Sequence, residues 1–244
     1  MTLPSILLLV VTGVFLALER LFPGRALPQS KGWYWRVLLI NLVQLAITLS
    51  TMRLWNRLFG STSVFRLAGW NAPVAEGLTA WFVGTFVFYW WHRLRHRDGF
   101  WLLFHQIHHS PSRIEALTSF YKHPLEILTD SFVSAIVLYP LLGCSLTGAF
   151  WYTLFAASGE YFYHANLKTP NWIRYFIQTP ELHSVHHEFD VHKYNFSDIP
   201  IWDRLFRTYY DATDFVDRCG FPAGAEIRLR KMLLFEDVYV DEAS

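Results

Sequence analysis

Apolar residues run almost unbroken from Leu3 to Leu18. With Glu19 to Phe22 the stretch approaches the roughly 20 residues that cross a bilayer. It shows neither the basic leader nor the small-residue cleavage site of a signal peptide, so a retained first transmembrane helix is expected, stopped by Pro23-Gly24. Lys31 to Arg36 mixes cations with aromatic residues, the composition of a membrane interface. Val37 to Met52 is apolar apart from Asn41, Gln44 and small hydroxyl residues and predicts a second span. Pro73 to Trp91 predicts a third, with Tyr89-Trp90-Trp91 at its far interface. Ile127 to Tyr139 and Leu146 to Ala157 are shorter apolar runs separated by Pro140 and Gly143, and together predict a helical hairpin. Beyond Glu160 no run is long enough to span. Glu226 to Val240 alternates charged and aliphatic residues and predicts a surface helix or strand.

The pattern therefore predicts an all-α membrane bundle of three to four spans plus the apolar hairpin. Three regions follow: transmembrane helices and a link over 1–74, a central region over 75–210 and a soluble tail over 211–244. Composition agrees with a membrane protein, since 52% of residues are hydrophobic and only 17% charged. A formal net charge of +1 leaves no basic footprint for nucleic acid. The two cysteines, Cys144 and Cys219, make neither a disulfide framework nor a thiolate metal site. Any metal must then be held by nitrogen, with carboxylate as the other available ligand type.

The histidines supply that nitrogen. All eleven fall between His92 and His192. On a helix, residues three and four apart share a face. His92 and His96 can aim two imidazoles at one point, as can His105 with His108 or His109, and the pattern recurs at His183, His186 and His187. One such box arises by chance; three in one chain call for a shared ligand. The histidines are too many for one ion and suit two, and imidazole suits zinc, copper, iron and nickel alike. Glu126, Glu160, Glu181, Asp190 and Asp198 lie near the histidines in sequence and could be ligands or partners that orient the rings.

These motifs resemble the fatty acid hydroxylase superfamily, also called the sterol desaturase family. The resemblance rests on His92-x3-His96, His105-x2-His108-His109 and His183-x2-His186-His187. It extends to His123-Pro124-x-Glu126, His164-Ala165-Asn166, Thr179-Pro180-Glu181-Leu182-His183, Asn195-Phe196-Ser197 and Trp202-Asp203-Arg204-Leu205-Phe206, covering roughly residues 75–210. It implies a membrane-embedded di-iron oxygenase that uses O2 and two electrons to hydroxylate or desaturate a lipid, with two irons just outside the bilayer. Carried over residue by residue, the implied ligands are His92, His96, His105, His108, His109, His164, His183, His186 and His187. His192 is expected to join them, while His123, Glu126, Glu160 and Asn195 are candidate supporting residues. Two positions depart from the family pattern: Ser197 and Arg207 stand where glycine is usual.

No dinucleotide fingerprint, iron–sulfur cysteine set or haem signature is visible, so a separate reductase, ferredoxin or cytochrome is the expected electron donor. Arg20, Arg25, Lys31 and Arg36 in the first link favour a cytoplasmic metal site. Two other readings use the same residues. A dinuclear zinc lipid hydrolase needs similar ligands and no reductant. A histidine-rich metal transporter would hold its ligands within the spans, whereas here they flank them. The lipid itself is not legible.

Overall fold

The computed structural model describes residues 2–239. Among them are nine α-helices and no β-strand: α1 (Leu3–Leu21), α2 (Trp33–Phe59), α3 (Pro73–Arg95), α4 (Gln106–His109), α5 (Pro124–Ile136), α6 (Leu146–His164), α7 (Pro180–His186), α8 (Pro200–Leu205) and α9 (Leu229–Leu233). The five long helices form a bundle, and the short ones build a cap over the end where α3 and α6 finish. Proline in the first turn and a polar cap start several of them. Thr179 accepts from the Leu182 amide ahead of α7, and Ser145 accepts from the Gly148 amide ahead of α6.

Three helical stretches are long and apolar enough to cross a membrane: α1, α2, and Pro124–Leu141, in which α5 continues through a π-helical turn. Their outward apolar side chains, such as Leu9, Val14, Leu42 and Leu49, are exposed, as lipid-facing residues would be. The expected third span is helix α3, but it is not among these three, because its length includes Glu76, His92, Arg93 and Arg95. The hairpin arms also run longer than their apolar runs. Pro124-Leu125-Glu126 and Gly159 to His164 continue the helices, with Glu126 and His164 turned into the interior. The tail meets expectation in part. Part of it is the surface helix α9, with Arg230, Lys231, Leu234 and Phe235 exposed, but Leu229, Met232 and Val238 are buried with Trp33, Val37, Ile40, Ile107 and Tyr121 and anchor the segment to the core. Val240, its last residue, lies outside the described residues.

Helix α3 packs mainly on α6, α2 on α5, and α1 on α6. Two glycines let α3 and α6 close. A Cβ on Gly77 would meet the Trp151 side chain and lie 2.7 Å from the Tyr152 backbone nitrogen, and one on Gly148 would lie 2.5 Å from the Glu76 carboxylate. That carboxylate accepts the Ser145 amide at 2.7 Å, at the start of α6. Gly77→Val should therefore force the pair apart and destabilise the protein by about 3 kcal/mol, the upper end of overpacking costs. The thermal unfolding midpoint would fall, whereas Gly13→Val, with nothing within 4 Å of its Cβ, should leave it unchanged.

Candidate metal centre

The ends of four helices bring the histidines together. His92 lies in the last turn of α3 and His96 caps it. A π-helical turn over Trp101–His105 leads directly into α4, and His164 ends α6. Helix α7 carries His183 and His186, with His187 at its C-cap. Nine imidazoles fall into two groups: His92, His96, His105, His109 and His186 in the first, and His108, His164, His183 and His187 in the second. Within each group the candidate ligand atoms lie within 4.8 Å of one another. The groups adjoin, since the His109 and His187 rings stack with centroids 4.2 Å apart. Each HxxHH box is divided between them. Residues four apart (His105 with His109, His183 with His187) stay together, and the one between them (His108, His186) turns to the other group.

The hydrogen bonds determine what these rings present to one another. His92 Nδ1 donates to the Phe196 carbonyl at 2.7 Å, and His105 Nδ1 to the Glu126 carboxylate at 2.8 Å. His186 Nδ1 donates to the Tyr194 carbonyl at 2.7 Å, and His164 Nδ1 to the Glu160 carbonyl at 2.8 Å. A neutral imidazole has one N–H, so each of these Nε2 atoms is a bare lone pair. Yet His92 Nε2 and His105 Nε2 face each other at 2.9 Å. In the second group Nε2 of His164 is 3.2 Å from that of His108 and 3.0 Å from that of His183, which is 3.1 Å from that of His187. The Nε2 atoms of His96, His109 and His186 are buried without a hydrogen-bond partner. Lone pairs converging in a dry site repel unless a cation lies among them, and ligand nitrogens bound at about 2 Å to one ion sit roughly 3 Å apart. Burial holds the His105, His108, His109, His183 and His187 imidazoles well below their usual pKa, with neighbouring imidazoles adding to the effect, and His186 falls to about 3. At neutral pH they are uncharged and competent to bind metal. The residues fit two metal ions.

His192 stands outside both groups. Its Nδ1 lies 3.2 Å from His109 Nδ1, and it lines a separate cleft of about 470 Å³ with Asp98, Asp190 and Asp237. His123 is also apart: Nδ1 accepts the Leu125 amide at 3.0 Å and caps α5, and Nε2 faces the Leu233 carbonyl. Glu160 belongs to neither group; its carboxylate pairs with Lys122 at 3.2 Å while its carbonyl holds His164. Asn195 bonds the Leu182 and Tyr210 carbonyls and so fixes the loop against α7. Glu181 accepts from Thr169, and Asp190 from the Tyr239 hydroxyl. Asp198, raised to about 7 by burial and by Glu160, accepts from the Tyr163 hydroxyl at 3.3 Å.

Two important residues are not among the candidate site residues read from the sequence, although Asp203 lies in the Trp202–Phe206 motif. Arg95, between the first two histidines, is buried and pairs with Glu126 and Asp130. Asp203 accepts the amides of Phe196 and Ser197, each at 2.9 Å, and the Thr208 hydroxyl at 2.7 Å. Of the two positions where glycine is usual, Arg207 adopts φ +59°, a conformation in which glycine is at ease. The Ser197 amide is used by Asp203.

Glu126 links Arg95 to His105, so it sets both the tautomer and the charge balance of that ring. Glu126→Gln should weaken metal binding by about 10–100-fold, as such partners do elsewhere. A chelator competition assay on the folded variant measures this, and an affinity equal to wild type would show that Glu126 does not tune the site.

A cavity of about 530 Å³ ends on His92, His105, His108, His164 and His183, and its other walls come from α1, α2, α3, α5 and α6. Two adjoining histidine groups thus close one end of the cavity. Residues 77–208, more than half of the chain, match the fatty acid hydroxylase family. The chain belongs to that family.

Among its relatives, methylsterol monooxygenase 2-1 of Arabidopsis thaliana is 36% identical over 98 residues, 40% of this chain and 34% of that protein. Very-long-chain aldehyde decarbonylase GL1-8 of Oryza sativa subsp. indica is 32% identical over 112 residues, 46% of this chain and 39% of that protein. The match thus spans little more than a third of these relatives. No solved structure matches.

Proposed function

We propose that this fatty acid hydroxylase family member is a membrane-embedded di-iron oxygenase that hydroxylates or desaturates a lipid C–H position. The observation that carries the reading is the pair of bare Nε2 atoms on His92 and His105, 2.9 Å apart in one of two adjoining histidine groups at the end of the cavity. His92, His96, His105, His109 and His186 would hold one iron, and His108, His164, His183 and His187 the other. Bound iron would supply the reduction of O2 that breaks a C–H bond. Hydroxylation consumes the C–H, O2, two electrons and two protons, and yields an alcohol and water. The protein orients its ligands through Glu126 and the carbonyls of Tyr194, Phe196 and Glu160. Its bundle walls keep bulk water from the cavity while admitting an apolar chain. Electrons come from a separate reductase, ferredoxin or cytochrome. His192 serves this site through His109 rather than as a tenth ligand. The metal end faces the cytoplasm, in keeping with Arg20, Arg25 and Arg36 at that end of α1 and α2.

The test is metal content and O2 use on anaerobically purified, iron-supplemented protein. Two irons per chain and reductant-dependent O2 uptake stimulated by lipid extract are expected. Two zincs, no iron uptake and ester cleavage without O2 would replace this reading with hydrolysis.

A further inference from the structure

The cavity is apolar for much of its wall, but α2 gives it a polar edge. Asn41, Gln44, Thr48 and Thr51 recur at helical spacing and all line it. Polar side chains within a membrane span are costly and are generally kept for a reason. Two of the four are accounted for locally. The Thr51 hydroxyl bonds the Ile47 carbonyl at 2.8 Å, and Thr48 receives the Gln44 amide at 3.1 Å. Asn41 and Gln44 retain unused acceptors. Asn41 Nδ2 donates to the carbonyls of Val37 at 2.8 Å and Leu117 at 3.2 Å. Those carbonyls use both N–H bonds and fix the amide, so Oδ1 points the other way. Among the described residues no hydrogen bond reaches Asn41 Oδ1 or Gln44 Oε1.

The position of Asn41 is informative. Its bond to Leu117 ties it to the 3-10 turn Ala116–Phe120. In that turn Ser119 donates to the Glu160 carbonyl, which also receives His164 Nδ1. Asn41 therefore lies near the histidine end of the cavity, and Gln44 about 4.5 Å further along the helix. Charge narrows the ligand class. The cations lining the cavity are already matched, Arg95 by Glu126 and Asp130, and Lys122 by Glu160 and Asp130. A carboxylate beside Asn41 and Gln44 would find no free cationic side chain there, and an unpaired buried charge is expensive.

We propose that Asn41 and Gln44 form a hydrogen-bonding subsite that selects a neutral lipid alcohol, holding its hydroxyl close to the histidine groups, over hydrocarbons and free fatty acids. The proposal deepens the lipid oxygenase reading and rests on it for the identity of the cavity as the substrate site. A hydroxyl donated to Asn41 Oδ1 would satisfy an acceptor that an apolar ligand leaves bare. Sites built to bond a hydroxyl discriminate strongly against analogues that lack it.

Equilibrium binding to the full chain in lipid nanodiscs tests this without turnover. The probes are 1-hexadecanol against hexadecane and palmitate, and cholesterol against 5-cholestene. In at least one pair the alcohol should bind at least tenfold more tightly than its hydrocarbon, and 1-hexadecanol more tightly than palmitate. The Asn41→Leu/Gln44→Leu double variant should lose that preference while keeping its affinity for the hydrocarbon. Gln44→Met leaves the Asn41–Leu117 tie intact; it should lose part of the preference and guards against misfolding of the double variant. Equal binding within both pairs, palmitate binding as tightly as 1-hexadecanol, no saturable alcohol binding, or an unchanged preference in both variants would each overturn the proposal. Because metal and O2 are not needed, failure here is distinct from failure of the oxygenase reading, which metal content and O2 uptake decide.

Discussion

Alanine at His108 and alanine at His109, neighbours in sequence, should disturb different metal ions. His108→Ala leaves three imidazoles in a group of four, whereas His109→Ala leaves four in a group of five. Loss of one of four ligands from a closed nitrogen set should lower the metal content of the reconstituted chain from two ions to about one. His109→Ala should retain two ions at saturating metal, with one bound about 10–100-fold more weakly, a loss on the scale known for disturbing a ring's surroundings. The same contrast should separate His187→Ala from His186→Ala. Plasma mass spectrometry gives the stoichiometry and chelator competition gives the affinity. If all four folded variants lose both ions even at saturating metal, the division into two groups is wrong. If none loses any, the histidines are not the ligands. If the proposed di-iron reading holds, lipid oxidation should be abolished in His108→Ala and His187→Ala, since two irons would supply the two electrons that one O2 takes up.

Asp203→Ala should damage the same centre without touching it. Its carboxylate receives the Phe196 and Ser197 amides and the Thr208 hydroxyl, and its carbonyl receives the amides of Thr208 and Tyr209 at 2.8 and 3.1 Å. The carboxylate thereby pins the loop that offers the Tyr194 carbonyl to His186 and the Phe196 carbonyl to His92. The side chain is fully buried, and burial raises its pKa to about 6 against the pull of these donors. Alanine would strand two amides and a hydroxyl, each costing about 1–3 kcal/mol when buried and unpaired. A destabilisation of about 3–5 kcal/mol is expected, with affinity falling at the first ion more than at the second. Asp203→Asn, which keeps the shape and one acceptor, should recover part of both. Calorimetry and metal titration measure the two effects. Equal weakening of both ions would mean that Asp203 supports the cap as a whole.

The architecture was largely legible from hydropathy, because a bilayer-length apolar run has few alternatives. The lengths of α5 and α6 were not, since their polar ends interrupt the apolar pattern while remaining helical around Glu126 and His164. Eight of the nine grouped histidines were visible as spaced boxes, and His164 only through the family resemblance. Their division was not, because the spacing left His105 free to pair with His108 or His109, whereas in both boxes the residues four apart share a group. His192 was expected to complete the ligand set. Its backbone, at φ +43°, instead places the ring beside His109 and outside the groups. In the tail the surface helix was legible and its anchoring residues were not. Leu229, Met232 and Val238 are spaced too irregularly to signal a buried face, yet the cap covers all three.

Because α4 and α7 each send rings to both groups, neither ion can be bound without arranging a helix that also serves the other. The first ion to arrive would bear the entropy of ordering these two short helices, and the second would find its ligands already in place. Uptake should accordingly be positively cooperative, with chains carrying one ion scarce at half saturation. Native mass spectrometry during titration would register this as a direct passage from empty to doubly loaded protein.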